Sequence, residues 1–218
     1  MSMKLRLTTG SPRISLKNAV IICDGDSITN EARDLVNGVA VSKSGIAYPV
    51  QLRDHPEMSK FGVSTFNIGR GGQSVDAMKN GINNDILPKL KRKGNDIVIA
   101  WGSINSLSNT TIGGVNGTHV LLKDYCNLVR AQGVHVIVCT LLYSSKSYAP
   151  GEKVEQYNEL IRNNWTTYAD LMLDVKLIPQ LHPVTSTYLP DGTHPNTLGH
   201  GVFVDNLVPV IKSLRRKR

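Results

Sequence analysis

Four short clusters in the chain hold the residue types that nucleophilic chemistry needs. They are Asp24-Gly25-Asp26-Ser27-Ile28-Thr29, the glycine-rich stretch Asn67 to Ser74, Gly102-Ser103-Ile104-Asn105-Ser106, and Asp191-Gly192-Thr193-His194-Pro195. A serine hydroxyl is a weak nucleophile until a base takes its proton. A neutral imidazole is suited to that near pH 7. The imidazole in turn needs an acceptor on its other nitrogen, to fix its tautomer and to stabilise the charge it acquires. Ser27, His194 and Asp191 are of these three types. Asp191 stands three residues before His194 on a short loop, where Gly192 lets the backbone turn sharply.

Such residues act together only if the fold gathers them, and the surrounding pattern says how it does so. Ala19 to Cys23 is a short, continuous apolar run, as in a strand buried on both faces of a parallel sheet. Ser64 to Ile68, Asp96 to Trp101 and Val134 to Leu142 read as further strands, and Leu173 to Ile178 as a short fifth. Helical patterns fall between them. They cover Ile46 to Ser59, a segment from Val75 with Ser74 as its cap, Thr118 to Gln132 ended by Gly133, Glu152 to Met172, and Asn196 to Leu214 with a break or kink at Pro209. Strand–helix alternation over the whole chain predicts an α/β fold with helices on both faces of a mostly parallel, five-stranded sheet. Ligands bind beyond the carboxyl ends of such strands, and the first three clusters directly follow predicted strands. The chain divides into an extended leader at 1–17, one domain at 18–214 and a basic tail at 215–218.

The four clusters, in this order, resemble the SGNH or GDSL-like family of serine hydrolases. The blocks are GDSIT at Gly25 to Thr29, N-x-G-x-x-G at Asn67 to Gly72, an asparagine just after a strand at Asn105, and D-x-x-H at Asp191 to His194. One block alone is a weak signal; four in order over residues 25–194 are a strong one. The resemblance implies a flavodoxin-like three-layer α/β/α sandwich and a serine esterase. Ser27 takes the nucleophile's place, His194 the base's and Asp191 that of the acid orienting the base. The Ser27 N–H, the Gly72 N–H and the Asn105 side-chain amide match the family's oxyanion donors. Donors aimed at the oxygen that turns negative are worth roughly 3–4 kcal/mol each in comparable hydrolases. Two departures from the family's G-x-N-D stand out in the third block: either Ser103 replaces the usual glycine or the loop holds one extra residue after Gly102, and Ser106 stands where the family has aspartate. Asp26, Arg70 and Trp101 are further candidates for substrate contact, with Asp26 also suited to orienting the turn beside Ser27.

Other readings compete. Val20 to Ile28 also resembles the first motif of haloacid dehalogenase-type phosphatases, with Asp24 as nucleophile and Asp26 as acid. That chemistry needs a magnesium ion and a late acidic pair, and it leaves Asp191 to Pro195 without a role. A non-catalytic carbohydrate-binding module is the second rival. Gly69-Arg70-Gly71 mimics part of a dinucleotide loop, but Ser74 stands where its third glycine belongs. No cofactor and no metal are expected, because no His/Cys/Asp group has ligand spacing. Within the esterase reading, polar loops at Ser106 to Gly117 and Ser144 to Gly151 and the lack of a long apolar lid favour short acyl esters, above all O-acetyl groups on a carbohydrate.

Composition narrows the rest. The net charge of +8 concentrates in Lys212 to Arg218 and in Lys89 to Lys93. No aromatic residues interleave with either group, so nucleic acid is not an expected partner. His182 and His200 lie near the fourth cluster, and His200 reads as a packing or solvated residue. Cys23, Cys126 and Cys139 read as buried thiols. No run is long enough to span a membrane. Met1 to Arg13 lacks the apolar segment of a secretory signal, which points to the cytoplasm by default or to export within a larger assembly. On that ground the acceptor patterns for glycosylation at Asn109, Asn116 and Asn164 are treated as chance.

Overall fold

The computed structural model describes residues 14–144, 146–147, 149–181 and 187–214. The apolar runs form one five-stranded sheet of β1 (Val20–Gly25), β4 (Ser64–Asn67), β5 (Ile97–Trp101), β6 (His135–Cys139) and β7 (Leu171–Leu173), in the order β4-β1-β5-β6-β7. Every pairing in it is parallel. Residues of β1, β5 and β6 are buried throughout. Helices therefore cover both faces, which is the physical reason these strands are continuously apolar instead of alternating. On one face α2 (Tyr48–Asp54) lies against α7 (Thr197–Ser213); on the other, α4 (Val75–Gly81), α5 (Gly114–Arg130) and α6 (Gly151–Asn164) follow in sequence. The result is the expected three-layer α/β/α sandwich. Among the described residues, no helix is long and apolar enough to cross a membrane.

Several elements differ from the sequence expectation. The fifth strand is Leu171–Leu173, and the segment behind it turns into a 3-10 helix at Val175–Leu177. Asp174 stops the strand by accepting a hydrogen bond from the Lys176 N–H, a local bond that competes with the ladder. The predicted helix from Glu152 to Met172 correspondingly ends at Asn164. The predicted helix at Ile46 to Ser59 is two helices, α2 and α3 (Pro56–Ser59), because Pro56 disfavours helical backbone at His55, whose ψ is 130°. Conversely, α7 runs through Pro209.

One feature lies outside the sequence reading altogether. A short helix, α1 (Ser27–Asn30), leads directly into an antiparallel hairpin of β2 (Ala32–Val36) and β3 (Val39–Lys43). Its two-residue turn, Asn37-Gly38, has φ values of 52° and 78°. An Asn-Gly pair in left-handed backbone between two apolar stretches is a strong short hairpin signal.

The core holds the later clusters in place. Trp101, at the end of β5, stacks on Phe203 of α7 with ring centroids 3.8 Å apart, and Tyr48 of α2 meets both edge-on. His200 of α7 accepts a hydrogen bond from the Tyr48 N–H at Nδ1 (3.2 Å), and its Nε2–H donates to the Glu31 carbonyl (3.0 Å). These contacts pin the start of α7, and with it the D-x-x-H loop, against the sheet. Ile14 and Leu16 are buried in the same core, so the packed chain reaches back to at least Ile14. Most of the leader, and the tail at 215–218, lie outside the described residues. All three cysteines are buried and free.

Candidate active site

The sheet order places β4, β1 and β5 side by side, so the clusters that follow them emerge together at one edge. At that edge β1 and β5 approach so closely that a Cβ on Gly25 would overlap the Trp101 carbonyl, and one on Gly102 would lie 2.8 Å from Gly25 Cα. Glycine at these two positions lets the Ser27 and Asn105 loops meet backbone to backbone.

Asp26 joins those loops. Its Oδ1 accepts from the Ile28 N–H (3.0 Å), capping α1, and its Oδ2 accepts from the Ile104 N–H (3.3 Å). Burial pushes its carboxyl up to about 6, against the pull of those two N–H groups and of His194. Asp26 is fully buried, which makes it a structural tie between the turns and takes it out of reach of a substrate.

The fourth cluster comes to Ser27 from the far end of the chain. Ser27 Oγ lies 2.8 Å from His194 Nε2, and His194 Nδ1 lies 2.7 Å from Asp191 Oδ2. Asp191 Oδ1 accepts from the backbone N–H groups of Thr193 (3.0 Å) and His194 (2.8 Å). Ser27 and His194 are buried at 8% and 4% exposure, respectively. Burial pushes the Asp191 carboxyl up, but the ring and backbone N–H of His194 outweigh it and hold Asp191 well below the usual carboxylate range. An ionised Asp191 must take its hydrogen bond from Nδ1–H, which leaves Nε2 as the bare acceptor facing the serine hydroxyl.

The second and third clusters meet beside this line. Asn105 Nδ2 donates to the Gln73 carbonyl (3.1 Å), fixing the amide over the residue after Gly72 and leaving its second hydrogen free. Gly72 is exposed and has φ +73°, with open space around it, so glycine is required there for backbone conformation and not for room. Among the described residues, the N–H groups of Ser27 and Gly72 have no protein partner. Ser103 has φ +91°, a conformation natural to glycine, so it occupies a glycine position in the third block. Ser106, in place of the aspartate, accepts from the Val75 N–H through its hydroxyl (3.0 Å) and so caps α4 from outside, while Ser74 makes no side-chain cap bond.

The family model for GDSL-like lipases and acylhydrolases matches residues 23–202. The chain belongs to the GDSL-like lipase/acylhydrolase family. As a member it is a hydrolase acting on esters. A lipase/acylhydrolase from Enterococcus faecalis superposes with a TM-score of 0.70 at 19% identity, over 92% of this chain and 98% of that one. An acetylxylan esterase from Geobacillus stearothermophilus superposes with a TM-score of 0.68 at 16% identity, over 93% and 100% of the two chains. A hydrolase from the metagenome of Lake Arreo, Spain, gives 0.69 at 20% identity, over 91% and 97%. At these identities the likeness is one of fold. A sequence search of curated proteins returns no match.

Of the residues expected at the substrate, Trp101 turns away from the site in this acylhydrolase, while Arg70 stays beside the catalytic turn, its backbone N–H donating to the Gly25 carbonyl at 3.1 Å. Trp101, expected at the substrate, is instead fully buried among Tyr48, His200 and Phe203, because a five-residue strand flanked on both faces leaves its indole no solvent side. Arg70 is 57% exposed at its side chain and paired with Asp85 at 2.7 Å. The phosphatase reading is not favoured. Asp24, its required nucleophile, is 2% exposed and accepts a hydrogen bond from the Tyr125 hydroxyl at 2.7 Å. Burial raises its carboxyl to about 7, which weakens it further as an attacking anion. Among the described residues, no group of three His, Cys, Asp or Glu side chains is arranged to hold a metal ion. His182 lies outside the described residues.

The residue that sequence reasoning missed is Arg33. Its Nη1 donates to Asp191 Oδ2 at 2.8 Å. Only the hairpin brings it there, and the Asn37-Gly38 turn was the available signal for that hairpin.

Proposed function

We propose that this acylhydrolase is a serine esterase that removes short acyl groups, above all O-acetyl groups, from a carbohydrate. The observation that carries the reading is the unbroken line from Ser27 Oγ through His194 to Asp191, at 2.8 and 2.7 Å. In the first step His194 Nε2 takes the Ser27 proton as Oγ attacks the ester carbonyl. Asp191 stabilises the imidazolium that forms. The carbonyl oxygen becomes an oxyanion and is met by the Ser27 N–H, the Gly72 N–H and the free hydrogen of the Asn105 amide. His194 returns its proton to the leaving alcohol, leaving an acyl-Ser27 ester. Water then attacks that ester with His194 again as base, releasing the carboxylic acid and restoring Ser27.

A small acyl group and a polar alcohol suit what surrounds the triad. The segment after Asn105 is polar and breaks into short 3-10 turns at Ile104–Ser106 and Thr110–Ile112, with no long apolar helix to cover a fatty chain. One structurally similar protein is an acetylxylan esterase, which supports the sugar-ester class by analogy.

The test is hydrolysis of p-nitrophenyl acetate by the native protein and by Ser27→Ala, with and without EDTA. Activity that resists EDTA and disappears in the variant is expected. Activity that survives the substitution removes Ser27 from the chemistry. Release of acetate from acetylated xylan, with long-chain esters inert, is the expected specificity, and the reverse pattern overturns it.

A further inference from the structure

We infer that Arg33 is a positioning residue for the base: its guanidinium fixes the Asp191 carboxylate that holds His194 and offsets part of the charge facing the imidazole. The inference rests on the triad reading above and extends it to a fourth side chain.

The geometry is specific. Arg33 Nη1 donates to Asp191 Oδ2 at 2.8 Å, the same oxygen that faces His194 Nδ1 at 2.7 Å. Asp191 Oδ1 is already taken by the Thr193 and His194 N–H groups, so Arg33 completes the acceptor capacity of the carboxylate. Arg33 is itself held by two further partners. Its Nε and Nη2 lie 2.9 Å from Glu31 Oε1, and its backbone N–H donates to the Pro195 carbonyl at 2.9 Å. Ser42 of the facing strand donates to that same Glu31 oxygen at 2.9 Å. Glu31 directly follows the helix that begins with Ser27. The guanidinium thus ties the nucleophile's segment to the base's loop, which stand more than 150 residues apart in sequence.

Electrostatics give the tie a chemical consequence. An uncompensated carboxylate beside an imidazole favours the imidazolium, and an imidazole that is already protonated cannot take a proton from Ser27. Arg33 opposes that bias, and Glu31 in turn tempers Arg33. Side-chain exposures of 28% for Arg33, 14% for Asp191 and 16% for Glu31 leave these charges only partly screened. The other titratable groups near His194 are Asp26 and His200. On the hairpin, Asp34 is held by Lys43 and by the N–H and hydroxyl of Thr197. None of these is altered by substitutions at 31 or 33.

The test follows the His194 ring by NMR across a pH titration of the full chain, with the ring signals assigned by their loss in His194→Gln. No substrate is needed. Arg33→Gln is expected to raise the His194 midpoint by about half to one pH unit, and Glu31→Gln to lower it. Arg33→Lys keeps the charge without the fork and is expected to bring the midpoint back toward the native one. The acid limb of kcat/KM for p-nitrophenyl acetate should move in parallel. Midpoints that stay at the native value in both Gln variants, or that move in the same direction, overturn the inference and leave Arg33 a structural residue. If Arg33→Gln does not fold, the signs from Glu31→Gln and Arg33→Lys decide. If the midpoints move as expected while Ser27→Ala keeps full activity, the coupling of Arg33 to His194 stands and the serine reading falls.

Discussion

Replacing Asp191 with asparagine tests the direction in which protons move through the site. The backbone N–H groups of Thr193 and His194 point at one carboxylate oxygen, at 3.0 and 2.8 Å, and hold the asparagine carbonyl there. The amide nitrogen then replaces the other oxygen. Its hydrogens face two donors, His194 Nδ1–H and Arg33 Nη1, which now stand 2.7 and 2.8 Å from that position. The imidazole escapes the clash by carrying its proton on Nε2, so that Nδ1 accepts from the amide. In that tautomer Nε2–H donates to Ser27 Oγ and cannot take its proton. Restoring the reactive tautomer loses a charge-assisted bond and sets donor against donor, at roughly 1.5–3 kcal/mol each. Together they amount to about 3–6 kcal/mol, or roughly 10² to 10⁴ in rate. The equivalent change in serine proteases lowers kcat about 10⁴-fold. We therefore expect Asp191→Asn to lower kcat for p-nitrophenyl acetate by about 10²- to 10⁴-fold, while KM changes little, because in the proposed mechanism the carboxylate acts in the transition state and not in substrate binding. Steady-state kinetics at pH 7 measure this, and burst titration with a serine-directed phosphonate counts the sites still able to react. A loss of less than about tenfold refutes the argument that Asp191 sets the tautomer.

Two other outcomes follow from the same geometry. In the proposed mechanism Asn105→Ala removes one donor to the oxyanion, and kcat should fall by about 10² to 10³ with KM nearly unchanged; a change confined to KM assigns Asn105 to substrate binding instead. His200 is buried, and burial drives its imidazole from 6.5 down to about 4, with the Glu31 carbonyl pulling the other way. Because the folded value lies below the unfolded one, the stability contributed by the neutral ring is complete above pH 6.5 and is lost as pH falls from there through about 4. That interval corresponds to about 3 kcal/mol. In urea unfolding, the stability advantage of the native protein over His200→Asn should therefore shrink by about that amount between pH 7 and pH 4, and a pH-independent difference contradicts the burial argument.

Much of this protein is legible without its coordinates. Ala19 to Cys23, Asp96 to Trp101 and Val134 to Leu142 announce buried parallel strands, because a strand covered on both faces has no polar side to display. The motif serine, asparagine and D-x-x-H pair are likewise readable, since their chemistry limits which residue types serve. What the sequence could not decide was whatever depends on neighbours distant along the chain. Asp174 closes the last strand through a local side-chain bond that periodicity does not register. Trp101 stands next to the third cluster in sequence, yet its ring turns into the core because Phe203 and Tyr48 are waiting there. Arg33 is one more basic residue in a hairpin until docking sets it against Asp191. The tertiary structure alone fixes such roles, because an ion pair or a buried face exists only once two distant segments exclude water from the space between them.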